Sequence, residues 1–263
     1  MQAVLQDAMS SQERSLWTAR AIAALNAVFP KVWPQLWDHW EPCRRLLPHV
    51  LIVAAATPKE QESLELAAVL SKAADYLFQR AEYEQAEPLY QRALSMGEQM
   101  LGSEHHQVAS PLNGLADLYR EQSRYAEAEA LYQRALYLWE RWHQEHPEMY
   151  SPLNNLALLY WKQGRYAEAE SLLQRALHPD EQASGQEDPA IYSFLNNLAI
   201  LYCEQGRYAE AEPLLQRALQ LDTQRFGQDH PETSYPLNNL AEVYQEQGRY
   251  AEAESLFQHA LRI

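Results

Sequence analysis

The sequence predicts an all-α fold: a helical solenoid in which antiparallel helix pairs wind into a right-handed superhelix, preceded by a short N-terminal helical region. Three observations carry this. One segment is written five times: LSKAADYLFQRAEYEQAEPLYQRAL from Leu70, LNGLADLYREQSRYAEAEALYQRAL from Leu112, LNNLALLYWKQGRYAEAESLLQRAL from Leu153, NNLAILYCEQGRYAEAEPLLQRAL from Asn196 and LNNLAEVYQEQGRYAEAESLFQHAL from Leu237. Its tyrosines Tyr83, Tyr125, Tyr166, Tyr208 and Tyr250 recur at steps of 42, 41, 42 and 42 residues, a period typical of stacked arrays. Within each copy the apolar residues follow helical spacing, and no stretch alternates as a strand would.

Residues 1–57 form the N-terminal region, with four of the seven tryptophans: Trp17, Trp33, Trp37 and Trp40. Ser10 and Glu13 make a capping box that opens a helix toward Phe29. Pro30, Pro34, Pro42 and Pro48 are expected to break the following stretch into short pieces. Thr57-Pro58-Lys59-Glu60 is a second capping signal, expected to open a long helix through Tyr76. From residue 58 to 263 five helix pairs are expected, at about 58–106, 107–147, 148–188, 189–230 and 231–263.

In the third pair Leu153, Leu156, Ala157 and Tyr160 fall on one face of a first helix. Gln163-Gly164 ends it, with the glycine suited to a left-handed cap. The second helix starts near Tyr166 and carries Ala169, Leu172, Leu173, Ala176 and Leu177 at helical spacing. The alanines Ala157, Ala169 and Ala176 allow a close approach of the two helices. His146-Pro147, Asp188-Pro189 and His230-Pro231 mark the next helix start, where proline is tolerated. Pro111, Pro152 and Pro236 fall inside first helices and are expected to bend them; Pro179 is expected to end or kink its second helix early.

The L-x-x-L-A-x-x-Y segment of the first helix and the Tyr-Ala-Glu-Ala and Arg-Ala-Leu segments of the second resemble the tetratricopeptide repeat. The usual period of that family is 34 residues. The longer period here, with NNLA, GRY-x-EAE-P-L and G-x-x-HP, resembles the kinesin-light-chain version over about Lys59 to Ile263. The resemblance implies a non-enzymatic scaffold that binds a protein or peptide. QAVLQDAMSSQERSLWTARAIAALNAVFP followed by CRRLLPHVLIVAAA resembles the linker ahead of the repeats in bacterial STAND (NB-ARC type) signalling ATPases. That second resemblance implies the sensor arm of a larger ATPase. A free-standing adaptor like the kinesin light chain, and a regulatory or oligomerising subunit of an enzyme, are the alternatives.

The formal charge of −15 argues against a nucleic-acid partner, whose phosphates would be repelled. Most of the acid sits in the repeated AEAE, read as solvated surface decoration; a basic partner is the other reading. The longest apolar run, Val50 to Ala56, is about a third of a membrane span, so no membrane is expected. The N-terminus has no basic stretch ahead of an apolar core. Cys43 and Cys203 make no disulfide framework and no paired metal spacing. The expectation is a cytoplasmic protein in a reducing compartment.

No chemistry stands out. His143 and His146 have a spacing that suits a metal on a helix, but no third ligand matches and His146 is explained by the His-Pro start. Glu104-His105-His106 reads as a loop. No G-x-x-x-x-G-K-[ST] phosphate loop, serine elbow or cysteine with a base is present. No catalytic residue, metal or cofactor is expected.

A helical wheel locates the binding face. Opposite the core of the third first helix lie Ser151, Asn155, Leu158 and Lys162. The same register gives Ala68, Lys72, Asp75 and Gln79; then Ser110, Gly114, Asp117 and Glu121; then Ser193, Asn197, Ile200 and Glu204; then Tyr235, Asn239, Glu242 and Glu246. In the family these first helices line a concave groove. Asn155, Asn197 and Asn239 would then form a ladder able to clamp a peptide backbone, or else bond neighbouring helices and hold the curvature. Asn154, Asn196 and Asn238 are read as structural. Leu158 and Ile200 make an apolar patch flanked by Asp75, Asp117, Glu121, Glu242 and Glu246. Trp161 is either a stacking surface or core. The matching ligand is an extended segment with one apolar anchor and basic flanks. Leu256, Phe257 and Ala260, on the last second helix, are expected to be partly exposed and to support self-association.

Overall fold

The computed structural model describes residues 9–30, 40–141, 150–177 and 190–263. Among them every regular element is a helix. Trp33, Pro34, Trp37, His143, His146, Pro147, Pro179, Asp188 and Pro189, which carried expectations above, lie outside the described residues.

The chain divides into two compact units, residues 1–144 and 145–263. The first contains α1 (Ser11–Val28), α2 (Trp40–Ala56), α3 (Leu64–Gln79), α4 (Tyr83–Leu101), α5 (Ala109–Glu121) and α6 (Tyr125–Arg141). The second contains α7 (Tyr150–Lys162), α8 (Tyr166–Leu177), α9 (Ala190–Glu204), α10 (Tyr208–Phe226), α11 (Ser234–Glu246) and α12 (Tyr250–Ala260). The repeated segments form the pairs α3/α4, α5/α6, α7/α8, α9/α10 and α11/α12.

Helix starts follow local hydrogen bonding. Both halves of the capping box form on α1: Ser10 Oγ accepts from the Glu13 N–H at 3.3 Å, and Glu13 Oε2 accepts from the Ser10 N–H at 2.9 Å. Helix α2 is continuous, against the expectation of short pieces. Pro42 falls in its first turn, where an amide hydrogen has no intrahelical acceptor, and Pro48 sits within the helix. The long helix expected from Pro58 is divided. Lys59–Gln61 forms a 3-10 turn, and α3 begins after Ser63, whose hydroxyl accepts from the Leu66 N–H at 3.2 Å. Thr57 turns back instead, donating to the Val53 carbonyl at 2.7 Å.

His105 Nδ1 accepts from the Gln107 N–H at 3.3 Å and caps a 3-10 turn, so Glu104-His105-His106 is not a plain loop. His230 caps the matching turn Pro231–Thr233 through the Glu232 N–H at 3.2 Å. Because α5 and α11 start only after these 3-10 turns, Pro111 and Pro236 are each the third residue of their helix. They remove no hydrogen bond there, and the expected bends have no cause.

The turn inside each pair needs a residue in the left-handed region. Gly164, Gly206 and Gly248 take it at φ 75°, 71° and 78°, whereas Ala81 and Ser123 are forced into it at 58° and 62°. The second helices bury their alanines: Ala86, Ala128, Ala169, Ala176, Ala211 and Ala218 are all fully covered. Small side chains at these places bring the helix backbones together.

Successive pairs are joined by one recurring latch. Arg124, Arg207 and Arg249 lie over Tyr119, Tyr202 and Tyr244 at 3.6, 4.0 and 3.7 Å. Each grips a glutamate three residues on (Glu127, Glu210, Glu252) with two hydrogen bonds. Each also reaches back to the second helix of the preceding pair, at Glu87, Glu170 and Glu212, over 3.1, 2.8 and 2.9 Å. Arg165 has the same stance over Tyr160, at 3.8 Å, and grips Glu168. Only a planar guanidinium offers a stacking face and enough in-plane donors for both carboxylates. The bond from Arg207 holds the Glu170 carboxyl below the usual carboxylate range. At Glu212 burial opposes ionisation, and Arg249 and Gln247 outweigh it. The reading of AEAE as surface decoration is therefore corrected at Glu170 and Glu212, which are acceptors that join one pair to the next.

Helices α1 and α2 stand where a further pair would stand before α3. Arg92 donates to the Ala54 and Thr57 carbonyls at 2.8 and 3.4 Å and to Glu62 at 3.0 Å. Its counterpart Arg134 reaches Glu98 and the Ser103 carbonyl at 2.5 and 3.0 Å. Helix α1 lies against α3, where Lys72 Nζ donates to the Asn26 carbonyl at 2.7 Å and to Asn26 Oδ1 at 3.0 Å.

Candidate functional site

In the second unit the first helices α7, α9 and α11 touch in succession. Their buried residues, among them Leu153, Leu156, Leu159, Leu195, Leu198, Leu237 and Leu240, turn toward the interior. That leaves the opposite positions on one shared face. Ser151, Lys162, Ser193, Glu204, Tyr235, Glu242 and Glu246 are exposed, and Asn155, Leu158, Asn197, Ile200 and Asn239 are half-buried.

The asparagines interlock. Asn197 Nδ2 donates to Asn154 Oδ1 at 2.7 Å, and Asn239 Nδ2 donates to Asn196 Oδ1 at 2.7 Å. An amide carries two N–H groups and a carbonyl, so each bond uses one donor and leaves an oxygen that accepts. The same side chains thus tie neighbouring first helices and face the open side. Trp161 is half-buried, and its indole N–H donates to Glu204 Oε2 at 2.6 Å. Tyr208 donates to Glu246 at 3.4 Å. Cys203 is half-buried beside this face, and burial together with the Glu242 charge raises its thiol pKa. A thiol so placed is not activated as a nucleophile.

The first unit builds the same register differently. Asp75 accepts from the Tyr90 hydroxyl at 2.6 Å, and Asp117 accepts from the Tyr132 hydroxyl at 2.5 Å and from Asn113 Nδ2 at 3.3 Å. Burial pushes the Asp117 carboxyl up to about 6, against the pull of Arg120. Glu121 pairs with Arg120 at 3.0 Å. These carboxylates are already engaged within the fold. Where the first unit has Asp–Tyr across a pair, the second has Leu158 with Leu173 and Ile200 with Leu215 in the same register. Among the described residues no group of three His, Cys, Asp or Glu side chains could hold a metal, and no helix is long and apolar enough to cross a membrane.

The tetratricopeptide repeat family matches residues 65–141, 108–178 and 190–263, most of the chain. The chain belongs to the tetratricopeptide repeat family. BtubC (BKLC) from P. vanneervenii is similar in structure, with 26% identity, a TM-score of 0.67, and coverage of 93% of this chain and 90% of that one. A Podosopora anserina protein described as a kinesin light chain with nearly identical TPR-like repeats matches at 23% identity and TM-score 0.65, over 76% of this chain and 95% of that one. PilF of Pseudomonas aeruginosa matches at 18% identity and TM-score 0.58, over 74% and 75% of the two chains. No curated protein matches the chain.

Tetratricopeptide arrays are protein-interaction scaffolds, and this chain shares their architecture. Sequence reasoning missed two features of its face. One is the Trp161–Glu204 contact, which spans adjacent tetratricopeptide pairs and leaves no local signature. The other is Gly114, the register mate of Asn155, Asn197 and Asn239. A Cβ on Gly114 would lie 2.5 Å from Cε1 of Tyr90, so the ring of the preceding pair fills the place where the asparagines stand elsewhere.

Proposed function

We propose that this chain is a non-catalytic adaptor of the kinesin-light-chain kind, and that its second unit binds an extended peptide on the face of α7, α9 and α11. The observation that carries the site is the pair Leu158 and Ile200. They are half-buried apolar side chains on an otherwise polar face, with the carboxylates of Glu204, Glu242 and Glu246 beside them. The ligand is a segment with one large apolar residue between Lys or Arg residues. The apolar anchor supplies most of the affinity, and the charges set register and association rate. Ser151, Ser193, Lys162 and the oxygens of Asn197 and Asn239 supply polar contacts to the backbone.

The adaptor reading is supported by the extent of the BtubC match. Only 7% of this chain falls outside it, much less than residues 1–57, so part of the N-terminal region also has a counterpart there. The sensor arm of a signalling ATPase and the subunit of an enzyme draw nothing from these matches. The test is a titration of basic-flanked and acid-flanked peptides, each with a central Leu or Phe, against the full chain. Saturable binding of the basic set, lost in Leu158→Glu, supports the reading. Equal binding of both sets, or no effect of Leu158→Glu, refutes it.

A further inference from the structure

The chain repeatedly seats an arginine on an aromatic ring and locks it with a carboxylate. Arg124, Arg165, Arg207 and Arg249 lie 3.6–4.0 Å over Tyr119, Tyr160, Tyr202 and Tyr244. Each donates two hydrogen bonds of 2.6–2.8 Å to Glu127, Glu168, Glu210 or Glu252. The ring takes the face of the guanidinium, and the carboxylate takes its in-plane donors. On the face of α7 and α9 a ring and a carboxylate meet without an arginine. The Trp161 indole N–H donates to Glu204 Oε2 at 2.6 Å. Among the described residues no cation lies over that indole, and Glu204 makes no ion pair. Its second oxygen remains an acceptor.

The two rings differ in cover. The tyrosines beneath the arginines are buried, whereas Trp161 is half-buried and Glu204 is exposed. In the register of Trp161, α9 and α11 carry Cys203 and Gln245, so the second unit has this ring at one place. That place adjoins the apolar anchor. Trp161 follows Leu158 by three residues on α7, and Glu204 follows Ile200 by four on α9. Residues so spaced are surface neighbours, about 5–6 Å apart, and α7 touches α9. An extended ligand turns alternate side chains to one side, about 7 Å apart. A long side chain two residues from the anchor therefore reaches both Trp161 and Glu204.

We propose that Trp161 and Glu204 form an arginine receptor, so that a basic flank of the ligand is read there as arginine in preference to lysine. The inference rests on the peptide site proposed for α7, α9 and α11. The guanidinium lies on the indole face and its N–H groups meet Glu204, as the chain's own arginines lie on tyrosine and meet glutamate. Tryptophan is the best aromatic partner for a cation, and a guanidinium both stacks and forks. An ammonium is a strongly hydrated point charge and gains chiefly the attraction of Glu204. Lys162, the next residue after Trp161, repels either cation alike, so the preference comes from the ring.

The probes are two peptides of equal charge, with Arg-Ser-Leu-Ser-Arg or Lys-Ser-Leu-Ser-Lys at the centre of an otherwise uncharged segment. Each is titrated by calorimetry against the full chain. The arginine peptide should bind about fivefold tighter. Trp161→Leu should bring the two to one affinity, whereas Trp161→Phe, which keeps a ring, should preserve part of the preference. Glu204→Gln should weaken the arginine peptide more than the lysine peptide. Equal affinities in the unaltered chain, or a preference that survives Trp161→Leu, overturn the receptor; the peptide site still stands if Leu158→Glu abolishes binding of both. Binding of neither peptide, or binding indifferent to Leu158→Glu, overturns the site and the receptor with it.

Discussion

Gly114→Ala should destabilise the first unit, although alanine is the better helix former. Gly114 lies within α5, and helix propensity alone favours alanine by about 1 kcal/mol. The added Cβ meets Tyr90 at 2.5 Å to Cε1 and 2.8 Å to Cζ. Tyr90 is 2% exposed, and its hydroxyl is held by Asp75 at 2.6 Å. The ring cannot move aside without straining a bond to a carboxylate, a class of bond that contributes about 1.5–3 kcal/mol. Overpacking of a filled interior costs about 1–3 kcal/mol. The steric cost exceeds the propensity gain, and the net loss should be about 1–2 kcal/mol, read as a lower midpoint in urea unfolding followed by circular dichroism. A double-mutant cycle with Tyr90→Leu isolates the cause, since Leu173 and Leu215 hold this register ahead of Asn197 and Asn239. The coupling should favour the double variant by about 1 kcal/mol or more. A Gly114→Ala chain as stable as wild type, or a cycle without coupling, would refute the argument.

Leu158→Glu should weaken a basic-flanked peptide by roughly 2 kcal/mol, through the lost anchor and a newly buried charge. Glu242→Gln should cost less, and its effect should fade at high salt, read by titration at two ionic strengths. Ala81→Gly and Ser123→Gly should each stabilise by about 1 kcal/mol in thermal unfolding, because both residues hold φ near 60°. Asp222 is 6% exposed, and burial with the nearby Glu232 pushes its carboxyl up to about 6 from an ordinary 3.8. A carboxyl raised in the folded state favours folding below its unfolded value, and that contribution is lost as pH rises through 6. Asp222→Asn should therefore flatten the fall in stability between pH 4 and 7, by roughly 1–2 kcal/mol with solvent screening allowed for, in a pH series of urea unfolding. The lowered carboxyl of Glu170 acts in the opposite sense, so Glu170→Gln should reduce the loss of stability on acidification below the ordinary carboxylate range.

The helices were readable from residue types because their cause is local. Apolar spacing set the pairs, Ser10 with Glu13 set the start of α1, and Gly164 set the turn after α7. The proline effects were misjudged at Pro111 and Pro236 because a proline in the first turn and one in a helix interior look alike until the start is known. The division of the helix expected from Pro58 turned on Ser63 outcompeting Thr57 as a cap, and the donation of the Thr57 hydroxyl to Val53 decided that.

The period and the face of each helix were determined by the sequence alone, since both follow from spacing along one chain. What each repeated polar residue does was decided only by the tertiary structure. The two glutamates of AEAE stand on different sides of the helix, but a wheel does not name their partners: Glu210 binds an arginine of its own pair and Glu170 one of the next. Asn196 and Asn197 are adjacent, yet one accepts from the following pair and the other donates to the preceding one. Gly114 stands in an asparagine register because Tyr90, 24 residues away, occupies the space. Such roles depend on which atoms of a neighbouring helix arrive within hydrogen-bond or van der Waals distance, and the packing of one pair on another sets that.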